Sequence, residues 1–151
     1  MMHTRKPWHE KMDNPDLPKI VQIPPRMRKR FGGGTTMLVP SPRDVDAVIR
    51  GVRKGHLISV GEIRRYLAGK YSADVTCPLT TGIFIRIAAE AANEAAQEGA
   101  SRITPYWRVI KDDGSLNPKF PGGVEAQAER LRDEGHAIDT SRKIPRVVLE
   151  R

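Results

Sequence analysis

The sequence predicts a mainly α domain with a minor β component, in a winged-helix-like helix-turn-helix arrangement. Three observations lead there. Ser41-Pro42 and Ser59-Val60-Gly61-Glu62 are both helix starts. A short helix after Ser59, a connector and a long helix from Cys77-Pro78 give a short–turn–long succession. Beyond Gly99 the chain breaks into short extended pieces, turns and one further helix.

Residues 1–40 read differently from the rest. They carry prolines at 7, 15, 18, 24, 25 and 40 and the run Gly32-Gly33-Gly34. Eight Lys/Arg face three acids, which supplies +5 of the net charge of +8. So many breakers leave no helical or strand period, and the segment is expected to be an extended basic arm, ordered in part against the domain through Trp8, Ile20, Val21 and Ile23. Arg26-Met27-Arg28-Lys29-Arg30 followed by glycines suits a flexible phosphate-binding arm; a solvated leader that keeps the protein soluble suits it equally.

The globular part, 41–151, is expected to start at Ser41. Val45, Val48, Ile49 and Val52 recur at helical spacing and Gly55 stops the helix. In the Ser59 helix the capping box precedes a buried face of Ile63, Tyr66 and Leu67, with Arg64 and Arg65 opposite and Gly69 at the end. From Pro78 a broad apolar face runs through Leu79, Ile83, Phe84, Ile87, Ala88, Ala91, Ala92 and Ala95 to a stop at Gly99. Arg102–Ile110 is expected to be extended and kinked near Pro105. A helix then spans Val124 to about Glu134, and the tail suits a small hairpin.

Aromatics are only 5% of the chain, so aliphatic and Ala-rich packing must supply most of the burial. The positive charge makes a polyanionic partner plausible, although many solvated surfaces share it. The single cysteine, Cys77, excludes an internal disulfide and a Cys-rich zinc site. The four histidines lack ligand spacing and read as surface residues, so neither a metal nor a cofactor is implied. No apolar run approaches the ~18 residues of a membrane span, and no apolar segment follows the charged amino terminus. A cytoplasmic protein is expected.

Several signposts then recur in a known order. Ser59-Val60-Gly61-Glu62-Ile63 opens a helix, and Gly82 lies early in the next. Thr104-Pro105-Tyr106-Trp107-Arg108-Val109-Ile110 is followed by Asp113-Gly114-Ser115-Leu116, by Gly122-Gly123 and by a helix ending Glu134-Gly135. Over roughly residues 43–136 this resembles the DNA-binding domain of the alkylguanine-DNA alkyltransferases, also called methylated-DNA–protein-cysteine methyltransferases. There the runs read Thr-Tyr-Gly-Glu-Ile, Pro-Cys-His-Arg-Val, Gly-Ser-Leu and Gly-Gly.

The resemblance implies a domain that lays the helix from Cys77-Pro78, its recognition helix, in the minor groove of double-stranded DNA. It also implies that the alkyl transfer of the family is absent. The nucleophile position is Tyr106, whose phenol titrates near ~10 and is a poor soft nucleophile. The relay position is Trp107, an indole that donates only and cannot act as a base. Glu134 remains with nothing to relay to. The family's phosphate-crowding tyrosine aligns with Val60 and its arginine finger with Leu79. Pro105, Arg108, Gly122 and Gly123 are retained as scaffold. The chain therefore looks like an alkyltransferase-like side branch without the active-site cysteine.

Within that frame Thr80, Thr81 and Gly82 permit close approach to a groove, and Arg86 reaches a phosphate; the same residues also suit a capped core helix. Arg64 and Arg65 are expected on phosphates if DNA binds. Leu79 is either an apolar wedge or core. Tyr106 and Trp107, with Arg108 and Glu134, line the old pocket and either stack on a flipped base or fill the space. Cys77, at a helix start, is a candidate reactive thiol, an N-terminal cap or a buried small hydrophobe. Three functions follow: a non-enzymatic DNA-binding protein that senses altered bases alongside a repair partner, associated with the nucleoid; an enzyme with chemistry relocated to Cys77; or an interaction module that has lost DNA.

Overall fold

The computed structural model describes residues 6–149. Helices dominate, and among the described residues three small sheets accompany them, a mainly α chain with a minor β component as the sequence predicts. In chain order the elements are α1 (Trp8–Lys11), β1 (Lys19–Gln22), a 3-10 helix (Pro25–Phe31), β2 (Thr36–Val39), α2 (Pro42–Arg50), β3 (Ile58–Ser59), α3 (Val60–Lys70), β4 (Val75–Thr76) and α4 (Pro78–Gln97). A second 3-10 helix (Tyr106–Arg108), β5 (Val109–Ile110), α5 (Gly123–Asp133), β6 (Ile138–Asp139) and β7 (Arg146–Val147) complete the chain.

Both serine caps form. Ser41 and Ser59 each accept the backbone N–H three residues on, and Asp44 and Glu62 return the bond to the cap N–H. α2 buries Val45 and Ile49, and α3 buries Ile63 and Leu67. Tyr66 departs from its expected place in that buried face and is 60% exposed. The helix ends also shift: α2 stops before Gly51 rather than at Gly55, and α3 runs one residue past Gly69. The Tyr71 hydroxyl donates to Asp44, which ties the end of α3 to the start of α2 and pushes the phenol up to about 12.

The expected extended arm is folded from Trp8 onward. β1 runs antiparallel to β2, and β2 runs parallel to β4, the strand just before α4. Met12, Ile23 and Leu38 are buried. The turn before β2 is fastened by Asp74, whose carboxylate accepts the backbone N–H of Thr35 (2.8 Å) and of Thr36 (3.1 Å). These bonds join residues almost forty apart, which no local period reveals. The basic run Arg26–Arg30 therefore sits on an ordered 3-10 helix, with Arg26, Lys29 and Arg30 exposed.

β3 and β5 pair in parallel and set Ser59 beside Ile110. Gln127 of α5, almost fully buried, stitches this region together. Its amide donates to the carbonyls of Trp107 (3.1 Å) and Val109 (2.9 Å), and its oxygen accepts the Asn117 N–H (2.8 Å). Gly122 caps α5 at φ +77°, and a Cβ there would lie 2.6 Å from that of Ala126. That is the physical demand behind the glycine pair. Among the described residues no helix is long and apolar enough to cross a membrane.

Candidate nucleic-acid interface

Cys77 stands at the cap position before α4, and its side chain makes no cap bond; Pro78 supplies the first-turn φ. The Cys77 N–H donates to the Leu38 carbonyl, and its own carbonyl accepts both the N–H (3.2 Å) and the hydroxyl (2.6 Å) of Thr81. Thr81 is fully buried, so the expectation that it contacts DNA is corrected: its small side chain serves packing and the local helix bond. The Thr80 hydroxyl is likewise enclosed and faces inward. Of the four groove-facing candidates, Gly82 and Arg86 remain on the outside.

Leu79 is 72% exposed and Ile83 is 47% exposed, so Leu79 is not core. The buried stripe of α4 is instead Thr81, Phe84, Ile85, Ala88, Ala89 and Ala92. A Cβ built on Gly82 meets nothing within 4 Å. Internal packing therefore does not require glycine at this position.

The two arginines of α3 separate. Arg64 is half-buried and donates from Nε to the Thr76 carbonyl (3.1 Å), while the Thr76 hydroxyl donates to the Arg64 carbonyl (2.7 Å). This braces α3 against β4 and corrects the expectation of a solvent-facing Arg64. Arg65 is exposed.

Tyr106 and Trp107 pack against each other. Both are buried; their rings meet edge-to-face at 5.3 Å, and Phe120 meets Tyr106 the same way at 5.5 Å. Burial pushes the Tyr106 phenol up, further from phenolate. Trp107 lies under Arg130 (4.1 Å from its centroid), and its Nε1 donates to Glu134 Oε2 at 3.1 Å. Arg108 donates to Glu134 through Nε (2.9 Å) and Nη2 (2.7 Å), and through Nη1 to the Val52 carbonyl (2.7 Å). Glu134 is thus the shared acceptor of a partly buried junction. Burial opposes its charge, but the donors from Arg108 and Trp107 outweigh that and hold the carboxyl below its ordinary range.

A cavity of about 670 Å³ opens beside the outer face of α4, where three segments meet. Leu79, Gly82, Ile83 and Arg86 come from α4; Lys111, Pro118 and Lys119 from the loop after β5; Trp8 and Lys11 from α1. Among the described residues no carboxylate lines it, and none of its four cations is ion-paired. Sequence reasoning missed Trp8, Lys11, Lys111 and Lys119. Trp8 stands in a proline-rich polar stretch, and only its tertiary seat gives it meaning.

No protein-family model and no curated protein matches the chain. Among solved structures, the chain is similar to S. pombe Atl1, an alkyltransferase-like protein, in the crystal structure of its complex with damaged DNA containing O6-carboxymethylguanine. The identity is 22% and the TM-score 0.49, over 71% of this chain and 87% of that one.

Proposed function

We propose that this chain is a non-enzymatic DNA-binding protein related to the alkylguanine-DNA alkyltransferases, which recognises altered bases for repair. The observation that carries the reading is the outer face of α4. At Gly82 it is bare backbone with open space, and unpaired cations surround it without a carboxylate among the described residues. Bare helix backbone lets a duplex groove approach closely, and Lys and Arg at the rim neutralise phosphates. Arg86 and Arg65 are the phosphate contacts, with the ordered ridge of Arg26, Lys29 and Arg30 as a further basic surface. Leu79 is placed to wedge between base steps from the minor-groove side.

The absence of chemistry rests on the pocket. On the resemblance, the nucleophile position falls on Tyr106, a buried phenol, and the relay position on Trp107, an indole already committed to Glu134. A sensor without chemistry needs a repair protein to act after it, and the nucleoid is where it would work.

Fluorescence anisotropy with two labelled duplexes, one plain and one carrying an alkylated guanine, tests this reading. Both are expected to bind. With about four phosphates neutralised, log K should fall against log salt with a slope of roughly −4. Tighter binding of the alkylated duplex supports damage sensing, and equal binding leaves a general DNA-binding protein. No binding to either duplex at low salt overturns the proposal.

A further inference from the structure

We infer that the arginine-lined hollow at the carboxy-terminal end of α4 is a docking site for an extended, carboxylate-bearing segment of a partner protein. The inference does not depend on the DNA-binding reading. The hollow shares no lining residue with the cavity around Gly82. Along α4, Gly82 and Ala96 are separated by roughly 20 Å, at about 1.5 Å per residue.

Four guanidinium groups from four segments meet here, around a space of about 420 Å³. Arg50 comes from the end of α2, Arg102 from the segment after α4, Arg108 from the second 3-10 helix and Arg130 from α5. Among the described residues no carboxylate lines the hollow. Arg50 is answered by Asp46 and Arg108 by Glu134. Arg102 and Arg130 are exposed and make no ion pair among the described residues. Arg130 lies over the Trp107 ring, 4.1 Å from its centroid. Stacking restrains the side chain and leaves its N–H donors free for a planar anion. Two forks are thus open to carboxylates, in a place where like charges already crowd.

The rim supplies a second kind of contact. Ser101, Arg102 and Ile103 belong to no helix or strand. Among the described residues, their N–H and C=O groups make no backbone hydrogen bond. The segment is nevertheless held: Ile103 packs against the core, and the buried Thr104 donates its hydroxyl to Asp46 at 2.6 Å. A fixed, extended stretch with unpaired backbone is what an added strand pairs with. In such a strand alternate side chains share one face, which brings two carboxylates to Arg102 and Arg130. A duplex matches the hollow less well. Its phosphates accept hydrogen bonds but offer no donor to the free carbonyls of the rim.

The test uses a fluorescein-labelled octapeptide of alternating glutamate and valine, titrated with the full chain at one salt concentration. Its controls are the same peptide with glutamine for glutamate, and the glutamate peptide methylated at every backbone nitrogen. Wild type is expected to bind the glutamate peptide about tenfold tighter than either control, the gain of two charge-assisted contacts or of a few backbone bonds. Arg102→Gln with Arg130→Gln should reduce the glutamate peptide to the level of the glutamine one and leave plain-duplex binding within about twofold. Arg102→Gln alone, which breaks no ion pair, should show about a threefold loss and melt like wild type. Equal binding of the glutamate and glutamine peptides overturns the inference, as does failure to bind any peptide. So does a methylated peptide that binds as tightly, which would leave charge without strand pairing. A double variant that keeps the glutamate preference removes the arginines from the site; one that loses duplex affinity tenfold makes the hollow a phosphate contact, and either result overturns the docking site. Failure of the duplex to bind wild type overturns the DNA reading and leaves the peptide result to stand by itself.

Discussion

Glu134→Ala is expected to lower stability by about 3–5 kcal/mol, the range for removing one partner of a buried ion pair. The loss is large because one carboxylate serves several donors. Without it, Arg108 keeps only the Val52 carbonyl, and the Trp107 indole N–H has no acceptor in a buried site. An uncompensated guanidinium and an orphaned donor both remain enclosed. For a chain of this size the melting temperature should fall by roughly 10 °C. Urea titration and thermal melts of wild type and variant would measure it, and a change under 1 kcal/mol would mean the junction is solvated.

The pH dependence has a definite sign. The Glu134 carboxyl sits below its ordinary value of 4.5 in the folded state. Its contribution is therefore fully present above that value and is lost as the pH falls through the lower, folded one. The stability gap between wild type and variant should narrow in acid below 4.5 and stay constant toward neutrality.

Gly82→Glu is expected to leave the fold intact and weaken duplex binding about 100-fold, because like charges brought together at an interface cost several kcal/mol. The position is exposed and a Cβ there meets nothing within 4 Å, so the substitution displaces no packed atom, and the helix loses a flexible glycine. Gly82→Ala separates bulk from charge. It should stabilise α4 by about 0.5–1 kcal/mol while weakening binding less than the glutamate does. Melting curves and anisotropy on the same preparations provide both readouts. A Gly82→Glu variant that melts like wild type and binds DNA equally well would remove the outer face of α4 from the interface.

The parts of this fold that are written locally could be read locally. Ser41 and Ser59 cap as their neighbours predict, because a capping box is contained within four residues. The phase of α4 could not be read in the same way. The helix is alanine-rich and apolar nearly all round, so Leu79 and Ile83 join a plausible buried face in sequence and lie outside in the structure. The apolar residues of the amino-terminal segment hint at contact with the domain, but its strands and helices are not legible, for a different reason. Its order depends on Asp74, Glu94 and Arg43, all distant in sequence, and prolines that read as breakers stand at the ends of its elements. The candidate site divides along the same line. Gly82, Arg86 and Leu79 were visible as residues near a helix start, whereas Trp8, Lys11 and Lys119 acquire meaning only through the cavity they share.

The pairing of β2 with β4 also bears on modularity. The composition changes near residue 41, and a dissection guided by it would cut there. That cut would remove the strand whose Leu38 carbonyl receives the Cys77 N–H at the very start of α4. The first turn of the proposed reading helix is thus held by the segment that looks dispensable. Grafting residues 41–149 onto another protein would carry over the helix without the support that aims it.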